Sequence, residues 1–224
     1  MEISKEMQEL LISSYFGDIG TYEKIREACM NRAFLDMARR IPYMHSTSQI
    51  AKMDKEKKKE YNDKKENLKK TVKNEMDGLI DSSDNVFDVI EAVYEIANTQ
   101  DFNGLYKEGT EFYFGLAQKW VNMTYKYLWL FGECSIDKNK LDAPLDRYIL
   151  KAITCGNDNK YGLNILSDSE SKELTWSILE KNKYLEIQRR IKDALKKKAE
   201  WDFKSAIEWE NVAWIEQAKI EEES

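Results

Sequence analysis

Residues that interrupt secondary structure are rare in this chain, and their scarcity restricts its fold more than any other feature. The 224 residues include only two prolines and nine glycines, the residues that most often end a helix or a strand. Between these breaks the apolar residues recur at spacings of three and four, and no segment alternates long enough to indicate a strand. The sequence therefore predicts an all-α fold, with a single helical domain of about eight helices.

The helical pattern divides the chain into three parts. Residues 1–47 are predicted to be N-terminal helices, one over 6–16 and a second beginning after Thr21, whose hydroxyl can cap a helix N-terminus. Residues 48–80 form a polar, lysine-rich helical arm or insertion with few apolar residues. Residues 81–224 supply the main helical core, which we expect to contain the functional site.

Charge is distributed unevenly along the chain. The net charge of −6 by itself argues against a protein that binds nucleic acid. Between Lys52 and Lys73, however, ten lysines stand against five acidic residues. An acidic protein can bind DNA through a local basic face of this kind. The same run also fits a solvated helix with no ligand, so both interpretations stay open.

The cysteines and histidine do not indicate a metal or cofactor site. They are few and far apart in the sequence: Cys29, His45, Cys134 and Cys155. Metal sites normally use closely spaced pairs of such residues, so we expect neither a metal nor a cofactor. Sparse, odd-numbered cysteines fit a reducing cytoplasm. No apolar run reaches the ~18 residues of a membrane span, and no signal-peptide pattern begins the chain, so we expect a cytoplasmic protein without membrane contact.

The segment "GLAQKWVNMTYKYL", residues 115–128, is predicted to be a central helix. At 100° per residue, Lys119, Asn122 and Lys126 share one polar side. We expect Lys126 to be exposed, and we expect the opposite side to be buried: Trp120, Thr124, Tyr127 and Leu128. A lysine at the margin of a buried face can be desolvated, which favours its nucleophilic amine. More ordinarily, such a lysine packs its stem and keeps its ammonium in water.

Two neighbouring features bear on the role of Lys119. Gly115 lies four residues before it, where a glycine would allow a phosphate to approach the N-terminus of the helix closely. After a loop, Asp146 follows Pro144 at the start of the next predicted helix. Its carboxylate can complement the positive end of that helix, or it can point into a cleft.

These residues resemble a known family. A glycine and a lysine that open one helix, followed by Pro-x-Asp at the start of another, resemble the helix-hairpin-helix DNA glycosylases, particularly their 8-oxoguanine branch. Here "GLAQK" has Ala117 in place of the second glycine of the family's motif, and "PLD" supplies the Pro-x-Asp. The resemblance covers residues 110–150 of the chain.

The resemblance implies a DNA glycosylase that acts on a damaged or modified base in double-stranded DNA. Lys119 would be the Schiff-base nucleophile of its lyase reaction, and Asp146 would be the catalytic carboxylate. The residues that the resemblance assigns to DNA binding are Gly115, Gln118 and Asn122. The candidates for stacking on a flipped base are Tyr113, Phe114 and Tyr148.

The last predicted helix, residues 205–223, contains Trp209 and Trp214. Tryptophans are frequent anchors in protein cores and interfaces, so we expect this helix to dock on the core. Its acidic residues Glu208 and Glu210 are expected to lie in solvent.

Two other functions are compatible with the same sequence. The protein could be a non-catalytic, acidic helical interaction protein that binds a protein partner through residues 48–80. It could also be a degenerate glycosylase fold that binds DNA without cutting it. The enzyme hypothesis requires the Lys119 amine and the Asp146 carboxylate to face one cleft. In the interaction protein the two side chains can point anywhere, and the degenerate fold lies between these two cases.

Overall fold

The computed structural model describes residues 12–17, 20–198, 200–203 and 205–223. In this part of the chain the secondary structure is mostly helical and contains no strand. Two isolated bridges join Tyr43 to Tyr106 and Thr154 to Leu166. The predicted all-α class is confirmed.

The first half of the described chain contains five helices. The residues that the sequence assigns to the beginning of the first helix, 6–11, lie outside the described residues, and 12–16 are helical and are named α1. The next helices are α2 (Tyr22–Met37), α3 (Thr47–Ala51), α4 (Lys55–Ile80) and α5 (Val86–Ala97). Thr21 caps α2, because its hydroxyl accepts a hydrogen bond from the backbone N–H of Lys24.

The second half carries the segments around the predicted site. Its helices are α6 (Phe114–Phe131), α7 (Arg147–Ala152), α8 (Asp168–Glu173), α9 (Lys181–Lys196) and α10 (Ala206–Glu222). Short 3₁₀ turns occur at Ala38–Arg40, Gln100–Phe102, Lys138–Lys140 and Trp176–Ile178.

Helix α6 lies at the centre of the fold. All its residues from Phe114 to Leu128 are buried, because α2, α5, α9 and the Trp176–Ile178 turn pack around it. The predicted buried face is confirmed at Trp120, Thr124, Tyr127 and Leu128. The expectation that Lys126 is exposed is wrong. Helix α10 brings the carboxylate of Glu210 to this lysine, and the two side chains are buried together.

The lysine-rich helix α4 is anchored to the core along its C-terminal half. Its apolar residues recur every four positions there and are fully buried: Leu68, Val72, Met76 and Ile80. Each such side chain contributes about 1.5–3 kcal/mol when it is fully buried. Nearer the start of the helix, Tyr61 is buried and its hydroxyl donates to the carbonyl of Leu105 over 3.2 Å. Residues 55–60 are exposed, so the arm-like part of this helix is short.

None of the described helices combines the length and the apolar character that crossing a bilayer requires.

Candidate active site

The carboxylate of Asp146 is held by contacts to both of its oxygens. Asp146 is the N-cap of α7, and its Oδ1 accepts hydrogen bonds from the backbone N–H groups of Tyr148 (2.9 Å) and Ile149 (3.0 Å). Its Oδ2 accepts from Lys119 Nζ at 2.8 Å and from the indole N–H of Trp214 at 3.1 Å. The helix end therefore fixes one oxygen, while side chains from α6 and α10 bind the other.

The extended segment before Asp146 is held by two glutamine side chains. Gln118 donates to the carbonyl of Leu145 over 2.8 Å and accepts from the N–H of the same residue over 3.1 Å. On α9, Gln188 makes the same two contacts with Ala143, over 2.7 and 3.2 Å. Gln118 immediately precedes Lys119, and Leu145 immediately precedes Asp146. The Gln118–Leu145 pairing therefore brings the lysine and the aspartate together.

The pKa of Asp146 is set by opposing effects. Burial raises the pKa of this carboxyl group, but the Lys119 ammonium, the Ile149 N–H and the Trp214 indole together lower it by more. The pKa of Asp146 consequently lies below its ordinary value. At neutral pH the residue is a carboxylate that accepts hydrogen bonds from all four of its partners.

Lys119 and Asp146 face one cleft with a volume of about 550 Å³. Its wall contains four basic and two acidic side chains together with two aromatic rings: Asp36, Arg39, Arg40, Lys119, Asp146, Arg147, Tyr148 and Trp176. Lys119 is only 4% exposed, whereas Arg39, Arg40 and Arg147 are exposed. The cleft thus presents guanidinium groups to solvent and one almost buried ion pair on its wall.

The three residues assigned to DNA binding contact the protein itself and do not line this cleft. Gln118 and Asn122 are buried, and Asn122 donates to Gln118 Oε1 (3.2 Å) and to the hydroxyl of Tyr184 (3.0 Å). Gly115 lies against the backbone of the Trp176–Ile178 turn, where an added Cβ would be 2.0 Å from the carbonyl oxygen of Trp176. In this structure these residues position α6 against its neighbours, and their contact with DNA stays a prediction.

Substitution of Gly115 by alanine is expected to destabilise the protein by about 1–3 kcal/mol, because the added methyl group must displace the backbone of the Trp176–Ile178 turn. The matched control is Gly78→Ala on α4, where no atom beyond the adjoining residues and backbone of the helix itself lies within 4 Å of the added Cβ. The control should be neutral or stabilising by about 0.5–1 kcal/mol, because alanine is the better helix former. Urea unfolding measures both changes. Equal stability of the two variants would contradict this packing.

The aromatic residues of the cleft are only partly those that the sequence suggests. Tyr148 lines the cleft and packs on Trp214, with ring centroids 4.9 Å apart. Phe114 instead packs in the core against Tyr184, and Tyr113 is the half-buried N-cap residue of α6. Trp176, which no motif singled out, lines the cleft from its 3₁₀ turn. Tyr148 and Trp176 are thus the aromatic residues on the wall of this cleft.

A second buried ion pair lies on α6 two turns beyond the first. Lys126 Nζ is 2.5 Å from Glu210 Oε2, and Glu210 is fully buried. The expectation that Glu210 lies in solvent is therefore wrong, because this side of α10 faces α6. Burial raises the pKa of Glu210 even though the ammonium groups of Lys126 and Lys119 oppose that rise. Helix α10 thus supplies Glu210 to Lys126 and, one turn later, Trp214 to Asp146.

The cysteines do not contribute to this site. Cys29 is buried, Cys134 is half-buried and Cys155 is exposed, and all three are free. Within the ranges that the structure describes, no three His, Cys, Asp or Glu side chains group closely enough to hold a metal ion.

Comparison with protein-family models, with curated proteins and with solved structures finds no match to this chain. The function is therefore inferred from the geometry and the chemistry of the site.

Proposed function

We propose that this protein is a DNA glycosylase with lysine-dependent lyase activity, which acts on a damaged or modified base. Lys119 is the nucleophile and Asp146 is the catalytic carboxylate. The observation that carries the proposal is the 2.8 Å contact between Lys119 Nζ and Asp146 Oδ2 on the wall of a basic cleft. An amine and a carboxylate within hydrogen-bond reach of one another are the two groups that this chemistry requires.

The reaction can be followed at the atoms of this pair. Transfer of a proton from Lys119 Nζ to Asp146 Oδ2 frees the lone pair of the amine. That lone pair forms a bond to C1′ of the sugar as the bond between C1′ and the base breaks, and the departing base takes up the proton held by Asp146. Positive charge develops on the sugar during this step, and Asp146, which becomes a carboxylate again as its proton passes to the base, stabilises that charge. Movement of a second amine proton to O4′ then opens the ring and leaves a Schiff base.

The surroundings of the pair suit a flipped nucleotide. A glycosylase extrudes its target base from the duplex and encloses it in a pocket, often against an aromatic ring. The cleft volume of about 550 Å³ lies within the range of ~300–1,000 Å³ that is typical of small-molecule sites. Tyr148 and Trp176 offer rings to a base, and Arg39 and Arg40 offer guanidinium groups to its flanking phosphates. The guanidinium of Arg147 is already paired with Glu221 at 3.0 Å.

Trapping of the Schiff base tests the proposal. The wild-type protein is incubated with a panel of duplexes, each with one oxidised, alkylated, deaminated or otherwise modified base, in the presence of sodium borohydride. Hydride addition at C1′ converts the Schiff base to a stable amine, so protein and DNA migrate together on a denaturing gel. The expected result is a covalent complex with at least one modified duplex and with none of the unmodified duplexes. Absence of a complex with every duplex, including one with an abasic site, would overturn the proposal.

Asp146→Asn is expected to slow base release by about 10²–10³-fold, because the negative charge beside the sugar is lost. Asparagine is as good an N-cap as aspartate, so α7 keeps its cap. Because Lys119 loses its counterion, thermal unfolding must show that the variant is folded at the assay temperature. Single-turnover release of the base measures the effect. The control is Asp168→Asn, which removes an exposed carboxylate from the first turn of α8. If Asp146→Asn released the base at the wild-type rate, Asp146 would have no part in the reaction.

A further inference from the structure

A second groove adjoins the cleft and shares Arg39 with it. This groove has a volume of about 770 Å³ and runs between residues 34–50 and the helix α4. Four of its lining residues are basic, Arg39, Lys65, Lys69 and Lys107, whereas Glu66 is the one acidic residue among those described on its wall. A positively charged path therefore leaves the Lys119–Asp146 cleft and passes along α4.

Two lysines of this groove are oriented by aromatic rings and not by ion pairs. Lys65 Nζ lies 4.4 Å from the ring centroid of Tyr43, and Lys69 Nζ lies 5.1 Å from that of Phe34. Contact with an aromatic face orients an ammonium group but leaves its charge available. Among the described residues, neither lysine forms an ion pair with a carboxylate, whereas Lys73, one turn further along α4, is paired with Glu27 at 3.0 Å.

The charge of the groove is opposite in sign to the net charge of the chain. A chain with a net charge of −6 repels a polyanion at long range, so DNA binding requires a local region of positive potential. Lys65 and Lys69 are one turn apart, about 6 Å along the helix axis, on the side of α4 that faces the groove. Their charges add to those of Arg39 and Lys107 in the same depression.

We propose that this groove binds the sugar–phosphate backbone of duplex DNA to one side of the nucleotide that enters the cleft. Arg39 connects the two sites, and Lys65, Lys69 and Lys107 contact the phosphates beyond it. The choice of duplex DNA as the occupant rests on the proposed glycosylase function. Lysines of the lysine-rich segment would then contact the DNA backbone and fix the register of the substrate on the enzyme.

The salt dependence of DNA binding tests this inference. The probe is a duplex with one stable tetrahydrofuran abasic site, and its Kd is measured over a series of salt concentrations. The slope of log K against log salt is negative, and its magnitude is expected to fall by about 0.9 for each phosphate contact that is lost, hence by about 1.8 in Lys65→Gln/Lys69→Gln. The matched control is Lys58→Gln/Lys59→Gln, two exposed lysines of the same helix that lie outside the groove. The control should keep the wild-type slope.

A charge-keeping variant separates loss of charge from loss of fold. Lys65→Arg/Lys69→Arg should retain the wild-type slope, and thermal unfolding checks that both double variants are folded at the temperature of the assay. If Lys65→Gln/Lys69→Gln does not fold, Lys107→Gln replaces it, and the magnitude of the slope is expected to fall by about 0.9. A slope that is equal in the glutamine variant and in the Lys58/Lys59 control would overturn the inference.

The outcomes also distinguish this inference from the proposed function. Trapping by the wild-type protein, together with an unchanged slope in Lys65→Gln/Lys69→Gln, would support the glycosylase function and contradict DNA binding in the groove. A slope of reduced magnitude in Lys65→Gln/Lys69→Gln, without trapping by the wild-type protein on any duplex, would support DNA binding in the groove and contradict the glycosylase function. No binding of the wild-type protein to the duplex, together with binding to polyglutamate that Lys65→Gln/Lys69→Gln weakens, would assign the groove to an acidic protein partner and overturn DNA as its occupant.

Discussion

Replacement of Lys119 by glutamine is expected to abolish borohydride trapping, with a loss on the order of 10³-fold or more in the yield of the covalent complex. Glutamine fills the space of the lysine, but its amide nitrogen has no basic lone pair that can bond to C1′. The carboxylate of Asp146 keeps three hydrogen-bond donors, from Tyr148, Ile149 and Trp214. The measurement is the covalent yield on the modified duplex that the wild-type protein traps best.

Two controls make this result specific. Lys151→Gln removes an exposed lysine that lines a depression adjoining the cleft, and it should trap at the wild-type level. Thermal unfolding of Lys119→Gln must show a folded protein at the assay temperature, because removal of one partner of a buried pair destabilises a protein. A folded Lys119→Gln variant that traps as well as the wild type would show that another amine is the nucleophile.

Substitution of either residue of the Lys126–Glu210 pair is expected to have the largest effect on the free energy of unfolding. Lys126→Met or Glu210→Leu alone should cost about 3–5 kcal/mol of the free energy of unfolding, because each leaves a charged partner buried without its counterion. The double variant should be more stable than either single variant, since it leaves no unpaired charge and places apolar groups against each other. Urea unfolding of the wild type and the three variants gives the coupling free energy. A double variant whose loss equals the sum of the two single losses would contradict the pairing.

The same pair predicts a dependence on pH. The pKa of Glu210 is raised by burial, so its protonated form is favoured in the folded protein relative to the unfolded chain. In Lys126→Met the carboxylate of Glu210 lacks its nearest cation. The free energy of unfolding of this variant should therefore rise as the pH falls toward the ordinary pKa of a glutamate. Glu210→Leu is the control, because it lacks the titrating group and should not gain stability in the same way.

The part of the site that could be predicted from the sequence depends on local patterns. The period of α6 predicts its buried face, and the residues around Pro144 place Asp146 at the start of a helix, where the structure has it as the N-cap. The required juxtaposition of Lys119 with Asp146 across one cleft followed from a short resemblance in sequence. The first two of these predictions use residues that are neighbours along the chain or on one helix, whereas the third joins two helices through a motif.

The part that was missed depends on packing between distant elements. Trp214 bonds to Asp146 from 68 positions away, and Glu210 reaches Lys126 from 84 positions away. The period of a helix divides its own surface, but it does not specify which neighbour covers the polar side. For that reason Lys126 and Glu210 were expected in solvent. Gln118 shows a similar ambiguity, because an amide side chain can bind a phosphate or a peptide group equally well, and here it binds the peptide of Leu145.

Gln118 and Gln188, which bind the backbone of Leu145 and Ala143, fix the end of the loop between α6 and Asp146. Their amides pair with the N–H and the C=O of these residues as neighbouring strands would in a sheet. The position of Asp146 is therefore set from the α6 and α9 sides and not by the path of residues 133–140. Insertions or deletions among the exposed residues 137–140 are therefore expected to leave the distance between the Lys119 amine and the Asp146 carboxylate unchanged.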